Sequence, residues 1–402
     1  MRCQVLEVLE TIPPDPILTL SEHFIKEVNP KKIDLGIGLY KDISNKTPIM
    51  GCVKIAEKKV INNLSADKIY KGSSGLNSFC EMISELLFSN KKELAQEGRV
   101  LSFQTIGGTG AIRLSAEIIH QINPERGIWV SNPTWDNHKD IFEYMGMKVY
   151  YYPYQGICGE LDFQSMLESI SIIPRGDVII LHGCGHNPTG IDIKKKQWSK
   201  ILEVIKDRNL LPIIDMAYHG LAKGLQDDNY CIDLFSSQLD EMFISYSCSK
   251  NFGLYSDRIG ALIVLTKDRN SCFKVKLQLS RLTRLSCSSP PIHGALIVNE
   301  ILSSVELKKI WTDEITNMMI RARAARKLLL VESQRQNCAR SFIEVGSGVG
   351  LFSIIPIKAE GIDILKNNFG IYMLNSGRIN ISGLNENNIE YFVSSAKPFM
   401  NK

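Results

Sequence analysis

The sequence predicts an α/β fold whose large domain is built on a mostly parallel sheet with helices on both faces. Between residues 101 and 265, short apolar runs alternate with longer amphipathic stretches, and this alternation is typical of repeated strand–helix units. The apolar runs are continuous, as expected of strands that are buried on both faces. Polar and glycine-rich motifs follow several of these runs, at the strand ends where such sheets collect ligands.

The order of the elements predicts a second, smaller α+β domain after Pro290-Pro291. In the large domain we predict one helix at 192–208 and strands at 128–130, 177–181, 211–214, 242–246 and 259–265. Beyond it, a long helix at 294–332 is followed by a strand, a helix, a strand and a helix at 350–355, 362–368, 378–381 and 385–396. We therefore predict an N-terminal arm at 1–11, a large domain at 41–300, and a small domain formed by 12–40 and 301–402.

The composition is that of an ordinary soluble globular protein. The 402 residues are 44% hydrophobic and 22% charged, and a net charge of +4 gives no argument for nucleic acid. No apolar run approaches the ~18 residues that a membrane helix needs. The ten cysteines include no CxxC pair, so we predict no metal site and a reduced, cytoplasmic setting.

The most informative motif places a lysine beside two serines and ahead of an arginine. It reads Ser247-Cys248-Ser249-Lys250, with Arg258 eight residues further on. A lysine can form a Schiff base with an aldehyde, and an arginine can pair bidentately with a phosphate. These residue types together suit an aldehyde that also carries a phosphate.

Four more side chains follow predicted strands and suit an aromatic ring with polar substituents. The indole of Trp135 can stack on such a ring, and the amide of Asn187 can donate a hydrogen bond to an oxygen on it. Asp215 precedes Tyr218 by three residues, and a buried carboxylate needs a partner such as a protonated ring nitrogen. In addition, the glycine-rich turn at 107–110 precedes a helix-favouring stretch and can present backbone N–H groups to a phosphate.

Together and in this order, the motifs resemble those of the aspartate aminotransferases, which belong to the fold-type I pyridoxal-phosphate-dependent transferases. The resemblance runs from about residue 12 to the C-terminus. It implies three catalytic residues: Lys250 forms the Schiff base with pyridoxal phosphate and then acts as the base, Asp215 keeps the ring nitrogen charged, and Tyr218 stabilises the ring oxygen beside Asn187. The other cofactor-binding residues that it implies are Gly108, Thr109, Trp135, Ser247, Ser249, Arg258 and, from the other subunit, Tyr70.

The resemblance also implies the substrates. Arg378 would bind the α-carboxylate, and Arg284 of the neighbouring subunit would bind the side-chain carboxylate of aspartate or glutamate, with Arg281 as a competitor for that role. Gly38, Trp135 and Asn187 would also line the substrate site, while His138 and His182 would support Asp215. The implied reaction is amino transfer from L-aspartate to 2-oxoglutarate, in a homodimer with shared sites. Two departures are Gly107, where the family usually has serine, and Ser289, where it usually has asparagine.

Three alternatives remain open at this point. The first is an aromatic or broad-specificity aminotransferase on the same scaffold. The second is a catalytically silent binding protein that retains the fold, which an intact Lys250, Asp215 and Arg378 argue against. The third is a nucleotide-binding Rossmann protein, which would need a GxGxxG motif that residues 107–112 lack.

Overall fold

The structure is a computed structural model that describes residues 6–63, 67–156, 159–338 and 340–400. Its strands are β1 (Ile33–Asp34), β2 (Val100–Ile106), β3 (Ile128–Asn132), β4 (Val149–Pro153), β5 (Val178–His182), β6 (Leu211–Met216), β7 (Met242–Ser247), β8 (Ile259–Leu265), β9 (Phe352–Ile354), β10 (Ile371–Tyr372) and β11 (Arg378–Asn380). Its helices are α1 (Pro16–Lys26), α2 (Gly51–Asn62), α3 (Asn77–Leu87), α4 (Lys92–Gln96), α5 (Gly107–Ile122), α6 (Asp136–Tyr144), α7 (Phe163–Ser171), α8 (Lys195–Arg208), α9 (Leu225–Asp228), α10 (Tyr230–Ser236), α11 (Arg269–Ser286), α12 (His293–Ser303), α13 (Val305–Arg335), α14 (Arg340–Val345), α15 (Ala359–Phe369) and α16 (Ile389–Ala396).

The central sheet confirms the predicted α/β architecture. It has seven strands in the order β2-β8-β7-β6-β5-β3-β4. The neighbouring pairs from β4 to β7 are all parallel. Every residue of β5, β7 and β8 is buried, because helices cover both faces of the sheet. The five strands predicted in this region are all present.

One strand runs against the others, and it brings Arg258 to the ligand-binding edge. β8 is antiparallel to both β2 and β7. At its first residues, Ile259 pairs with Ile106 at the end of β2, and Gly260 pairs with Ser247 at the end of β7. Arg258 therefore lies at the carboxyl ends of the parallel strands. The sequence did not predict this reversal, since a continuous apolar run indicates burial but not direction.

Helix α8 begins at Lys195, three residues later than predicted. The reason is Asp192, whose carboxylate accepts the backbone N–H groups of Gly185 and His186, each at 3.0 Å. Asp192 thereby fixes the loop that follows β5 and stays outside the helix.

The single helix predicted at 294–332 is two helices, α12 and α13. They are separated at Ser304, whose hydroxyl accepts the backbone N–H of Leu307 at 3.3 Å and so caps the second helix. Helix α13 then extends from the first hydrophobic core, where it buries Trp311, to a second core, where it buries Leu329. This one helix therefore joins the two parts of the molecule.

The second core lies among the short strands and the C-terminal helices. β1 pairs in parallel with β10, and β9 pairs antiparallel with β11. Segments from both ends of the chain contribute to this core, including Ile33, Leu35 and Phe392. This arrangement is compatible with the predicted small domain, although the domain boundaries stay predictions.

Two further findings concern the part of the chain that the structure describes. None of its helices has the length and apolar character that crossing a membrane requires. Its eight cysteines are all free thiols.

Candidate active site

A cavity of about 150 Å³ opens at the carboxyl ends of the central strands. It is lined by Ile17, Gly38, Gly108, Thr109, Trp135, Asn187, Asp215, Ala217, Tyr218, Ser247, Ser249, Lys250, Arg258, Phe352 and Arg378. Of the residues predicted to bind cofactor or substrate, only Tyr70 and Arg284 are absent from this lining. The fold thus brings together motifs that are up to 340 positions apart in the sequence, as Gly38 and Arg378 are.

A larger cavity, of about 520 Å³, lies between β9 and the start of α8. Its lining includes Ser353, Lys194 and Gln197 but none of the predicted site residues. Since size alone does not define a site, we assign the candidate site by the chemistry of the smaller cavity.

Lys250 lies in the loop after β7, at the wall of the smaller cavity. Burial lowers the pKa of its amine to about 8; the charge of Asp215 opposes this shift, while those of Arg258 and Arg378 add to it. Near physiological pH, the Lys250 amine is therefore neutral in a larger fraction of molecules than the amine of an ordinary lysine is. Only the neutral amine is nucleophilic. Its Nζ lies 5.2 Å from the centre of the Tyr218 ring.

Asp215 lies at the end of β6, beside His182 at the end of β5 in the parallel register. Burial raises the pKa of the Asp215 carboxyl, but the hydrogen bond from His138 and the electrostatic effects of His138, His182 and Lys250 together outweigh it, and the pKa is lowered. The atoms Nε2 of His138 and Oδ2 of Asp215 are 3.1 Å apart. Asp215 is therefore ionised, and it faces the cavity as a buried anion.

The carboxylate of Asp215 is followed by a row of buried polar side chains. Because a carboxylate only accepts, Nε2 of His138 carries a proton. The Thr134 hydroxyl lies 2.9 Å from Nδ1 of His138 and 3.3 Å from Nε2 of His182. Burial lowers the pKa of His182 well below its ordinary value, so this ring is neutral. His138 and His182 thus lie beside Asp215, where they were predicted to support it, and that supporting role stays a prediction.

The first turn of α5 and the loop after β7 form a cradle for an anion. The unpaired N–H groups at a helix N-terminus attract negative charge, and the hydroxyls of Ser247 and Ser249 lie at the same end of the cavity as Arg258. The guanidinium of Arg258 donates to Ser249 Oγ at 3.3 Å. Gly107 closes the cradle, because its N–H donates to the carbonyl of Arg258 at 2.9 Å. A Cβ at Gly107 would lie 2.6 Å from Nη2 of Arg258.

Arg378 approaches the cavity from the opposite side, on β11. Its Nη2 donates to the carbonyl of Gly36 at 2.7 Å, and its guanidinium lies 4.5 Å from the centre of the Phe352 ring. The same ring packs edge-on against Tyr218, with 5.7 Å between the ring centres. Phe352 therefore holds Arg378 and Tyr218 at a fixed separation.

Sequence reasoning missed three lining residues: Ile17, Ala217 and Phe352. Phe352 belongs to a run that reads as an ordinary buried strand, and Ile17 belongs to the first helix, so neither carries a chemical signal of its own. Ala217 could have been found, since it lies between two predicted site residues.

Tyr70 and Arg284 project from the outer surface of this chain. The side chain of Tyr70 is 88% exposed, and Arg284, which is also exposed, donates to Ser288 Oγ at 3.0 Å. The segments that carry them are joined, because Ser289 Oγ donates to the carbonyl of Gly72 at 3.0 Å. The competitor Arg281 is exposed as well. None of these arginine or tyrosine side chains lines the cavity of its own chain.

The residues of the cavity fit pyridoxal phosphate. Oδ1 of Asn187 and Nε of Arg378 are buried and have no hydrogen-bond partner among the described residues, so the site has polar groups left for a ligand. The anion cradle suits the phosphate, the ionised Asp215 suits a protonated ring nitrogen, and Lys250 suits an aldehyde. The half-buried indole of Trp135 offers a surface for the ring.

Comparison with known proteins agrees with this geometry. Residues 30–395 match the family model for aminotransferase class I and II. An aromatic-amino-acid aminotransferase of Pseudomonas aeruginosa is 39% identical over 94% of this chain and 95% of its own. An aspartate aminotransferase of Haemophilus influenzae is 37% identical over 97% of this chain and 99% of its own.

Solved structures show the same likeness. An aromatic-amino-acid aminotransferase from Burkholderia pseudomallei, covalently bound to pyridoxal phosphate, superposes with a TM-score of 0.95 at 33% identity, covering 99% of this chain and 100% of the other. The cytoplasmic aspartate aminotransferase of Saccharomyces cerevisiae also gives 0.95, at 32% identity and 98% coverage of both chains. The chain therefore belongs to the class I and II aminotransferases, enzymes that depend on pyridoxal phosphate.

Proposed function

We propose that this chain is an aspartate aminotransferase, which transfers the amino group of L-aspartate reversibly to 2-oxoglutarate and yields oxaloacetate and L-glutamate. Membership of the family gives the reaction type, and the two arginines support the substrate class. The observation that carries the proposal is the pair of cationic positions, with Arg378 inside the cavity and Arg284 on the exposed surface that also bears Tyr70.

The residues of the cavity divide the work of holding the cofactor. Gly108, Thr109, Ser247, Ser249 and Arg258 would bind its phosphate, and Tyr70 of the partner subunit would add a hydroxyl. Trp135 would orient the ring, Asp215 would hold the proton on the ring nitrogen, and Asn187 and Tyr218 would hydrogen-bond the ring oxygen. When bound, pyridoxal phosphate supplies an aldehyde for the amino group and a ring that accepts electron density from the substrate α-carbon.

Lys250 performs two tasks in this proposal. Its amine would hold the cofactor, and its Nζ would move a proton to and from the substrate α-carbon. A pKa lowered to about 8 suits both tasks, because a general base works best when its pKa lies near the working pH. Arg378 meanwhile holds the α-carboxylate, beside Gly38, with the geometry that a planar guanidinium gives to a carboxylate.

A homodimer completes the site in this proposal. Arg284 and Tyr70 are exposed in their own chain, and both reach a cavity only if a second copy lies against this surface. Arg284 of one subunit would then bind the side-chain carboxylate of the substrate in the site of the other. This dependence on two chains makes the dicarboxylate specificity a property of the dimer.

An aromatic or broad-specificity aminotransferase is the second candidate. The relatives are divided between aspartate and aromatic-amino-acid aminotransferases, and Ile17, Trp135 and Phe352 give the cavity an apolar wall on which an aromatic side chain could pack. The side chain of Arg284 is exposed and donates to Ser288 Oγ, so its guanidinium could also turn aside for such a substrate.

The test is a comparison of kcat/KM for aspartate, glutamate, tyrosine and phenylalanine, each with a saturating 2-oxo acid. If the chain is an aspartate aminotransferase, kcat/KM for aspartate and for glutamate should exceed that for either aromatic substrate by at least ~30-fold. This factor corresponds to the loss of about 2 kcal/mol, the lower value for one buried charge-assisted pair. Equal values for the four substrates would favour the broad-specificity enzyme. A preference for tyrosine and phenylalanine would contradict the proposal.

A further inference from the structure

His219 lies in a buried chain of hydrogen bonds that the roles described above do not use. It follows Tyr218 directly and is 1% exposed. Its Nε2 lies 2.9 Å from the carbonyl oxygen of Leu225, and its Nδ1 lies 3.2 Å from the hydroxyl of Tyr246. That hydroxyl also accepts from Nδ2 of Asn251 at 2.7 Å. Tyr246 and Asn251 are fully buried.

The direction of every hydrogen bond in this chain is determined. A carbonyl oxygen only accepts, so Nε2 of His219 carries the proton. Burial lowers the pKa of His219 to about 4, so the ring is neutral and Nδ1 is an acceptor. The hydroxyl of Tyr246 must therefore donate to His219, and it accepts from Asn251. A side chain without both a donor and an acceptor cannot replace His219.

This series of hydrogen bonds connects the two segments whose proposed catalytic side chains meet in the cavity. His219 belongs to the turn after β6, next to Tyr218, whereas Asn251 follows Lys250 in the loop after β7. Oδ1 of Asn251 is buried without a partner among the described residues, so the hydrogen bond from Nδ2 to Tyr246 anchors this side chain. If the hydroxyl of Tyr246 lost its fixed orientation, the side-chain amide next to Lys250 would lose its anchor.

The far side of the same loop is rigid. The carbonyl of Asn251 accepts from the indole nitrogen of Trp311 at 2.8 Å, and the ring of Phe252 stacks on that indole with 4.7 Å between the ring centres. Helix α13 therefore fixes one side of the loop, and the chain from His219 fixes the other. We therefore expect a displacement of His219 to change the distance between Lys250 and Tyr218 rather than the position of the whole loop.

We propose that His219 is a positioning residue for the transamination site, which holds Lys250 and Tyr218 at their working separation through Tyr246 and Asn251. The inference rests on the roles proposed above for Lys250 and Tyr218. His219 touches neither substrate nor cofactor in this scheme, because it does not line the cavity. Its effect is on the protonation and placement of the groups that do.

The experiment compares His219→Leu with His219→Gln in the holoenzyme. Leucine removes both the donor and the acceptor, whereas glutamine keeps one of each at its tip. The first readout is the pH midpoint at which the visible absorbance of the bound cofactor titrates, and the second is the separate change in kcat and KM. We expect leucine to shift the midpoint by about half a unit and to lower kcat roughly tenfold, below the ~100-fold that a 1 Å misplacement can cost. KM should stay within about twofold, and glutamine should restore both values.

Tyr246→Phe tests the same chain at its middle, and it decides the question if His219→Leu fails to fold. It leaves the contact of His219 with Leu225 intact but removes the link to Asn251, so we expect the same midpoint shift. In the double variant of His219→Leu and Tyr246→Phe, the midpoint shift and the loss of kcat should be no larger than in either single variant, because the two residues act through one path. A lowered melting temperature with an unchanged midpoint and kcat would overturn the proposal, as would additive effects of the two substitutions. Failure of the proposed function is distinguishable, because it would appear as a preference of the wild-type protein for tyrosine and phenylalanine, whereas the midpoint and kcat compare each variant with the wild type on the same substrate.

Discussion

Substitution of Arg378 by lysine tests the carboxylate site while keeping its charge. In the structure the guanidinium is fixed from two directions, by the 2.7 Å hydrogen bond to Gly36 and by the face of the Phe352 ring. Its Nε remains available to a ligand, because it has no partner among the described residues. A lysine can supply one donor toward a carboxylate but cannot present two parallel donors or lie flat on the ring.

The expected loss is therefore one charge-assisted hydrogen bond, about 1.5–3 kcal/mol. This corresponds to roughly 10- to 150-fold weaker binding of the substrate carboxylate. The assay is the KM for aspartate, together with the dissociation constant of an unreactive dicarboxylate measured from the absorbance of the bound cofactor. Both constants should rise by that factor, with a smaller change in kcat.

The matched control is Arg335→Lys. Arg335 is 57% exposed and pairs with Glu332 and Glu390 on the surface, so all three parameters should stay within about twofold of wild type. If Arg378→Lys changed KM for aspartate no more than this control does, Arg378 would not be the carboxylate ligand.

Three further predictions concern the ring nitrogen, the partner subunit and the loop after β5. Asp215→Asn should fold but lose at least ~30-fold in kcat/KM, because an amide stabilises a protonated ring nitrogen poorly; an unchanged nitrogen chemical shift of labelled cofactor, with normal turnover, would disprove this role. A heterodimer of a Lys250→Ala subunit and an Arg284→Leu subunit should recover about half of the wild-type aspartate turnover, since one site carries both lesions and the other carries neither; no recovery in a confirmed heterodimer would exclude a shared site. Gly190→Ala should destabilise the protein by more than ~3 kcal/mol in urea unfolding, because the added Cβ would lie 2.0 Å from a backbone oxygen at a φ of +68°. Gly176→Ala, with a φ of +84° and nothing within 4 Å, should cost only the ~1–2 kcal/mol of backbone strain; equal costs for the two alanines would show that the close packing is not what requires glycine.

The sequence predicted the parts of the fold that depend on local pattern. Continuous apolar runs identified the buried strands of the central sheet, and polar motifs after them identified the edge at which the candidate site lies. The pattern could not show that β8 runs backwards, because direction depends on which strands become neighbours. It placed the start of α8 too early, because Asp192, of a residue type common at helix N-termini, instead accepts the backbone N–H groups of Gly185 and His186 in the preceding loop.

The candidate site was predictable at the positions where the residue type itself indicates the chemistry. Lys250, Asp215 and Arg378 carry charges whose burial requires an explanation, and each lies in a recognisable motif. Phe352 carries no such signal, since an apolar side chain in a strand is ordinary core until its neighbours are known. The contribution of His219 depends on the directions of hydrogen bonds across three segments, so it also required the structure.

Reduction of the holoenzyme with borohydride, followed by peptide mass spectrometry, tests the central claim most directly. Lys250 is the lysine that lines the cavity, and its pKa is lowered to about 8. The account predicts that reduction abolishes the visible absorbance and leaves a phosphopyridoxyl label on the peptide that contains Lys250. A label on another lysine, or an absence of label in a protein that retains its cofactor, would contradict it.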